Sequence, residues 1–267
     1  MALFQISYYA KALKRRTQIS VVIPADVPED FMPALPDVFR PVFLLHGYSE
    51  NDTAFLMNAP LQELSEKHSL AFIMPSGENS FYLNDTARNA LYEDYICQEL
   101  PEIANKYFPL SKARKDITVA GISMGGFGAI HSGLARPDFF GNIISYSAAL
   151  ITDRISNIKE GEADQIASYS YYRHTFGDLG TLADSHNNPK ALAAALPKEN
   201  MPKIYMCCGT EDFLINENRD FHETLTALGI PHTYEEDKGA HDWAFWNRFM
   251  FRSLDWLAKT IAGDKYE

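Results

Sequence analysis

Short apolar runs alternate with amphipathic segments along most of the chain. An apolar strand without polar alternation is typical of a parallel sheet covered by helices on both faces. Four runs have this character and end at glycine, proline or serine: Val42–Leu45, Ala71–Met74, Ile117–Ala120 and Ile204–Cys207. The pattern therefore predicts four buried strands.

Helical periodicity fills the intervals between these runs. Residues 93–108 place their apolar side chains roughly on one face, and Pro101 inside them is expected either to start a new turn or to kink the helix. Further helices are predicted from residue 126 to near Pro137, over residues 216–229 and over residues 243–263. Strand and helix alternate from about residue 42 to the end. This order predicts an α/β fold with helices on both faces of a mainly parallel sheet.

The N-terminal part has a different pattern. Residues 3–10 and 17–24 alternate apolar and polar side chains, and a basic turn joins them, which predicts an antiparallel pair of strands. The segment from Pro24 to Pro41 is rich in proline and acidic residues and is interpreted as a surface connection. We expect one domain over residues 1–267.

Residues 151–200 break the alternation, because they are polar, with scattered tyrosines and short helical pieces. They are interpreted as a cap-like insertion between two core strands. Two placements stay open. The segment could lie over the carboxyl ends of the strands, where α/β sheets bind ligands, or form an ordinary surface excursion.

Composition narrows the range of partners. The formal net charge of −11 disfavours nucleic acid and anionic membranes, which carry the same sign of charge. No apolar run approaches the roughly 18 residues of a membrane span, and residues 1–10 lack the pattern of a secretory signal. The three cysteines do not make a disulfide framework. A cytoplasmic location is expected.

The stretch Gly121-Ile122-Ser123-Met124-Gly125 has the form G-x-S-x-G. In a nucleophile elbow of this form, a strand turns sharply into a helix and leaves the serine exposed at the turn. A predicted strand precedes this stretch and a predicted helix follows it. Ser123 is therefore the candidate nucleophile.

A serine nucleophile needs a base and a carboxylate. His241 follows a predicted last strand over residues 232–237 and precedes the last helix, and Asp212 follows the strand Ile204–Cys207. Both are expected at the carboxyl edge of the sheet, beside Ser123. Glu211 and Asp242 are alternatives for the acid. The chain order serine, acid, histidine is that of α/β-hydrolases.

Acyl transfer also needs donors for the oxyanion. The backbone N–H of Met124, directly after the serine, is one candidate. The second is the backbone N–H of Tyr48, in the loop that Gly47 opens after an apolar strand. This chemistry needs no metal or cofactor, and no spacing of cysteines and histidines suggests a metal site.

Several stretches together resemble the esterase D group of α/β-hydrolases, and especially its bacterial tributyrin esterase and cinnamoyl (feruloyl) esterase branch. They are PVFLLHGYSEN, AFIMPSGENSFYLND, YEDYICQELPEIANKYFP, ITVAGISMGGFGAI, CCGTEDFL and GAHDWAFW. The resemblance implies a triad of Ser123, Asp212 and His241 and an oxyanion hole at Tyr48 and Met124. S-formylglutathione hydrolases of this group usually carry a threonine–cysteine pair soon after His-Gly, which this chain lacks. Because this pair is missing, we expect the substrates to be carboxylic esters rather than glutathione thioesters.

These features predict a serine carboxylesterase that hydrolyses short-chain acyl esters through an acyl-enzyme. A feruloyl, cinnamoyl or acetyl-xylan esterase is the alternative, with aromatic residues such as Tyr82 and Trp243 lining the pocket or simply packing. A catalytically silent binding protein on the same fold is a third hypothesis. The aromatic-rich last helix could pack on the core or on a second copy of the chain.

Overall fold

The computed structural model describes residues 1–26 and 36–263 of the 267-residue chain. Eight strands of this described part form one sheet in the order β1-β2-β4-β3-β7-β8-β9-β10. They are β1 (Ala2–Ala10), β2 (Arg15–Ile23), β3 (Arg40–Leu45), β4 (Leu70–Pro75), β7 (Thr118–Ile122), β8 (Asn142–Tyr146), β9 (Lys203–Gly209) and β10 (Thr233–Asp237). Two short strands, β5 (Asn84–Asp85) and β6 (Ala90–Leu91), pair separately.

The sheet is antiparallel only on its N-terminal side. β1 pairs with β2 and β2 with β4 in antiparallel register, whereas all later pairs are parallel. The chain places β4 on one side of β3 and then crosses to place β7 on the other side. Such a reversal of direction opens a crevice at the carboxyl ends of the strands, here those of β3 and β7.

Helices cover both faces of the sheet. They are α1 (Ala54–Asn58), α2 (Leu61–His68), α3 (Tyr92–Asp94), α4 (Leu100–Tyr107), α5 (Met124–Ala135), α6 (Thr152–Ile155), α7 (Tyr169–Phe176), α8 (Pro189–Ala195), α9 (Ile215–Ala227) and α10 (Trp243–Gly263). Successive strand residues face opposite layers, so Phe43 packs with α4 and α5, and Leu44 packs with α2 and α10. The α/β fold with helices on both faces of a mainly parallel sheet is thus as the alternating pattern predicts, and within that class it is the α/β-hydrolase fold that the resemblance implies.

The predicted strands correspond to β3, β4, β7 and β9, and the N-terminal pair to β1 and β2. The sequence pattern did not predict β8, although all five of its residues are buried. This strand begins at Asn142 and carries Ser145, and these polar residues interrupt the apolar run that reveals its neighbours. The Asn142 amide is satisfied by donating to the carbonyl of Lys115.

The predicted kink at Pro101 takes the form of a π-helical turn over residues 95–99, between α3 and α4. Proline has no N–H to donate to the carbonyl four residues earlier, which belongs to Cys97. That carbonyl accepts a hydrogen bond from the Arg136 guanidinium instead, at 3.0 Å. The loss of one helical bond is therefore compensated by a side chain from the end of α5.

The segment 151–200 contains α6, α7, α8 and two short 3₁₀ turns rather than further strands of the main sheet. Much of the predicted surface connection from Pro24 to Pro41 lies outside the described residues. The apolar residues of α10, including Phe249 and Leu254, pack on the sheet. No helix in residues 1–26 and 36–263 has the length and apolar character needed to span a bilayer.

Candidate active site

Ser123 lies at the sharp turn between β7 and α5. Its φ and ψ of 54° and −117° are outside the regions that L-residues prefer. Backbone hydrogen bonds hold this conformation: the Ser123 N–H donates to the Tyr146 carbonyl at 2.9 Å, and its carbonyl accepts from Ala149 at 2.9 Å. The strained turn is therefore fixed by the neighbouring strand β8 and the residues that follow it.

The glycines on either side of Ser123 are required by close backbone contacts. A Cβ on Gly121 would lie 2.2 Å from the Gly125 carbonyl oxygen, and a Cβ on Gly125 would lie 2.0 Å from that of Leu45. Real Cβ atoms do not approach oxygen so closely. Any side chain at either position would force β3, β7 and α5 apart and displace the serine.

His241 brings the predicted partners of Ser123 together. Its Nε2 lies 2.9 Å from the Ser123 Oγ, and its Nδ1 lies 2.8 Å from the Asp212 Oδ2. Because the Asp212 carboxylate can only accept, Nδ1 carries the proton and Nε2 is left to accept from the serine hydroxyl. The loops after β7, β9 and β10 supply the three residues, all at one edge of the sheet.

The Asp212 carboxylate is buried and firmly oriented. Its Oδ1 also accepts from the backbone N–H of Leu214 at 2.8 Å. Burial by itself would raise the pKa of Asp212, but the hydrogen bonds and charge of His241 outweigh burial and lower that pKa. Neither alternative acid takes this position: Glu211 is exposed, and Asp242 accepts from the Phe245 N–H at the start of α10.

The loop after β3 lies directly against the serine. A Cβ on Gly47 would be 3.6 Å from the Ser123 Cβ, and Tyr48 lines the same cavity as Met124. Met124 is the first residue of α5, where backbone N–H groups have no partner within the helix. The two candidate oxyanion donors therefore belong to segments that border Ser123.

Two residues that the sequence interpretation did not single out support this loop. His46 accepts from the Gly77 N–H at its Nε2 and donates from Nδ1 to the Gly47 carbonyl, with both distances 2.7 Å. Burial lowers the pKa of His46, which favours this neutral tautomer. Its position next to Gly47 was the only sequence signal for such a role.

Glu50 is the second missed residue. Its Oε2 accepts from the Gly47 N–H at 3.2 Å, and the side chain also lines the cavity next to Ser123. Burial raises the pKa of Glu50, and the hydrogen bond from Gly47 only partly offsets that effect. The Gly47 N–H therefore has an acceptor in Glu50, and the Gly47 carbonyl has a donor in His46, so both groups fix the loop.

A cavity of about 580 Å³ opens at Ser123, within the size range of small-molecule sites. Phe81 and Trp243 give it aromatic walls, and Phe213 packs its ring 4.6 Å from that of His241. Gln165 and Ile166 also line it, so part of the insertion 151–200 borders the site. The sequence could not predict which residues of the insertion reach the serine.

The structure corrects the expectation for Tyr82. Its side chain is fully buried, its hydroxyl donates to the His46 carbonyl at 2.9 Å, and its ring lies against Gly77 and Gly128. Tyr82 therefore packs behind the loop after β3 and does not line the cavity. Trp243 does line it.

A serine, a histidine and a buried carboxylate at the carboxyl edge of this sheet define the class of α/β-hydrolases with a serine-centred site. Residues 10–257 match a protein family described as "Putative esterase", and the chain belongs to that family. It is 40% identical over 263 residues to an acetyl esterase of Caldicellulosiruptor saccharolyticus, covering 97% of this chain and 99% of that one.

Solved structures of serine hydrolases and esterases have the same fold as this chain. The fluorophosphonate-binding serine hydrolase F of Staphylococcus aureus superposes with a TM-score of 0.83 at 28% identity, covering 96% of this chain and 98% of that one. The S-formylglutathione hydrolase FrmB of the same organism gives 0.80 at 26% identity, with the same coverage. A ferulic acid esterase gives 0.76 at 19% identity over 97% and 98% of the two chains, which shows the fold alone. The chain is a serine esterase that hydrolyses carboxylic esters.

Proposed function

We propose that this esterase hydrolyses esters of short-chain acids, acetyl esters foremost, through a triad of Ser123, His241 and Asp212. The observation that carries the proposal is the continuous hydrogen-bond chain from the Ser123 Oγ through His241 to Asp212. The 40% identity to an acetyl esterase supports the acyl preference.

The proposed reaction starts with attack of the Ser123 Oγ on the ester carbonyl while His241 Nε2 takes the serine proton. The backbone N–H groups of Tyr48 and Met124 stabilise the oxyanion, an interaction for which loss of one donor costs about 2.7–4 kcal/mol. His241 then protonates the leaving alcohol and the acyl-enzyme forms. Water, activated by the same histidine, releases the acid and restores the serine.

A second candidate function is hydrolysis of feruloyl or cinnamoyl esters. What favours it is the cavity itself, whose 580 Å³ exceeds the needs of an acetyl group and whose walls include Phe81 and Trp243. Aromatic side chains stack well against the ring of such an acid.

An ester panel separates the two candidates. We expect kcat/KM for p-nitrophenyl acetate to exceed that for p-nitrophenyl octanoate by at least tenfold, and kcat/KM for methyl acetate to exceed that for methyl ferulate by the same factor. A higher kcat/KM for methyl ferulate than for methyl acetate would overturn the acyl preference and leave the triad assignment intact.

We also propose a cytoplasmic location. The free, buried thiols of Cys97, Cys207 and Cys208 support it, because oxidising compartments favour disulfides. Fractionation of producing cells tests it, and activity found mainly outside the cytoplasm would contradict it.

A further inference from the structure

A second group of side chains with ligand chemistry lies apart from the residues of the esterase site. Glu93 comes from α3, His131 from α5 and His186 from the insertion, and one donor atom of each lies within 4.8 Å of the others. None of the three lines the cavity at Ser123. His131 follows Ser123 on α5 by eight residues, or about 12 Å along the helix axis.

The protonation of His131 can be assigned from its surroundings. Its Nε2 lies 3.0 Å from the His186 carbonyl oxygen, which can only accept, so Nε2 carries the proton. The Nδ1 atom therefore holds a lone pair. It is buried and has no hydrogen-bond partner among the described residues, and burial lowers the pKa of His131 to about 4.

An unprotonated, buried imidazole nitrogen is a ready metal ligand. Metal-bound histidines usually donate their other ring N–H to a backbone carbonyl or carboxylate, which fixes the ring, and His131 makes such a bond to His186. Without a cation, the same nitrogen is a buried acceptor left unsatisfied, which destabilises the folded state.

The other two side chains already touch. The His186 Nε2 lies 2.7 Å from the Glu93 Oε1, so one proton is shared between them. A divalent cation can replace this proton, because metal binding to histidine releases protons. Ligand atoms around tetrahedral Zn²⁺ lie about 3.3 Å apart. The half-exposed side chain of His186 has the freedom to adjust to that spacing.

We propose that Glu93, His131 and His186 bind a divalent transition-metal ion of the Zn²⁺ type. Two imidazoles and one carboxylate form a ligand set that suits Zn²⁺ better than Mg²⁺ or Ca²⁺, which prefer oxygen ligands. The bound ion joins the insertion to α3 and α5. Its role is structural, because the serine chemistry proceeds at a separate cavity.

The test uses the full chain after dialysis against EDTA and then into chelator-free buffer. We expect isothermal titration with ZnCl₂ to give one site per chain with a Kd of micromolar or below, and Zn²⁺ to raise the Tm. Glu93→Gln and His186→Asn should each weaken this binding at least tenfold and abolish the rise in Tm. Both positions are partly exposed, so both variants are expected to fold.

The chain offers a matched control. His222 and His232 form a second histidine pair, with the Nδ1 of His222 2.7 Å from the Nε2 of His232. Within residues 1–26 and 36–263, no carboxylate joins this pair to form a group of three possible ligands. His232→Asn should leave Zn²⁺ binding unchanged. The proposal is overturned if the wild type binds no Zn²⁺, if both cluster variants bind it as the wild type does, or if binding is lost in His232→Asn alone.

Discussion

The Glu50 carboxylate accepts a hydrogen bond from the Gly47 N–H at 3.2 Å, within the loop that borders Ser123. From the other side, His46 donates to the Gly47 carbonyl. Both polar groups of this peptide segment are therefore held before substrate arrives. Donors fixed in advance stabilise a developing oxyanion without reorganisation at the moment of reaction.

Removal of the Glu50 acceptor should slow the chemistry more than it weakens substrate binding. We expect Glu50→Ala to lower kcat for p-nitrophenyl acetate by about 10- to 100-fold, since small misplacements of a site cost up to about 10²-fold. Glu50→Gln keeps an acceptor oxygen and should recover most of the rate. Equal kcat values for wild type and Glu50→Ala would contradict a positioning role.

Substitutions of the buried Asp212 and of its exposed neighbour Glu211 should have very different effects on kcat. Asp212→Asn should reduce kcat at neutral pH by about 10⁴-fold, because an amide no longer fixes the tautomer of His241 or stabilises its charged form. Glu211→Gln, one residue earlier and exposed, should leave kcat within about twofold. If the two variants lost activity to the same degree, Asp212 would not be the acid of the triad.

The turn at Ser123 depends on glycine at position 125. In Gly125→Ala the new methyl group would meet the Leu45 carbonyl oxygen at 2.0 Å. We expect a loss of at least about 3 kcal/mol in the free energy of unfolding, measured by urea denaturation. Gly180→Ala, whose nearest atom would be 3.5 Å away, is the control and should change stability by less than about 1 kcal/mol. Similar unfolding midpoints for both variants would refute the steric argument.

His131 should make stability depend on pH below neutrality. Burial lowers its pKa in the folded state to about 4, from about 6.5 when unfolded. The contribution of neutral His131 to the free energy of unfolding is therefore complete above about pH 6.5. It is lost as pH falls toward about 4, and the total loss is about 3 kcal/mol.

The measurement compares the free energies of unfolding of wild type and His131→Gln in EDTA between pH 7.5 and 4.5. The wild type should lose stability more steeply than the variant as pH falls. Parallel curves would show that His131 is not held neutral by burial. EDTA excludes a contribution from bound metal, whose binding also depends on pH.

Much of the fold follows from local pattern. Residues such as Val42 and Ile204 lie in apolar runs that fall within β3 and β9, and the elbow at Ser123 combines a motif with the elements that it requires. The strand β8 did not follow, because the Asn142 amide meets the Lys115 carbonyl only in the folded protein and Ser145 interrupts the apolar run. Its polar residues lack a local signal for burial.

The residues of the site also fall into two groups, those that the sequence predicts and those that it does not. Ser123, Asp212 and His241 could be chosen because each follows a strand, and strand ends meet at one edge of the sheet. Glu50 and Tyr82 could not be assigned, since only the path of the loops decides which of them faces the cavity. The ligands Glu93, His131 and His186 come from three distant segments, and no spacing in the sequence links them.

In the proposed reaction, Ser123 is the nucleophile and His241 activates it. The most direct measurement is mass spectrometry after treatment with a fluorophosphonate, together with hydrolysis of p-nitrophenyl acetate. We predict one adduct on the peptide that contains Ser123, and for a folded Ser123→Ala variant no adduct and a rate lower by about 10⁴-fold or more. An adduct on another residue, or near wild-type hydrolysis by Ser123→Ala, would show that Ser123 is not the nucleophile.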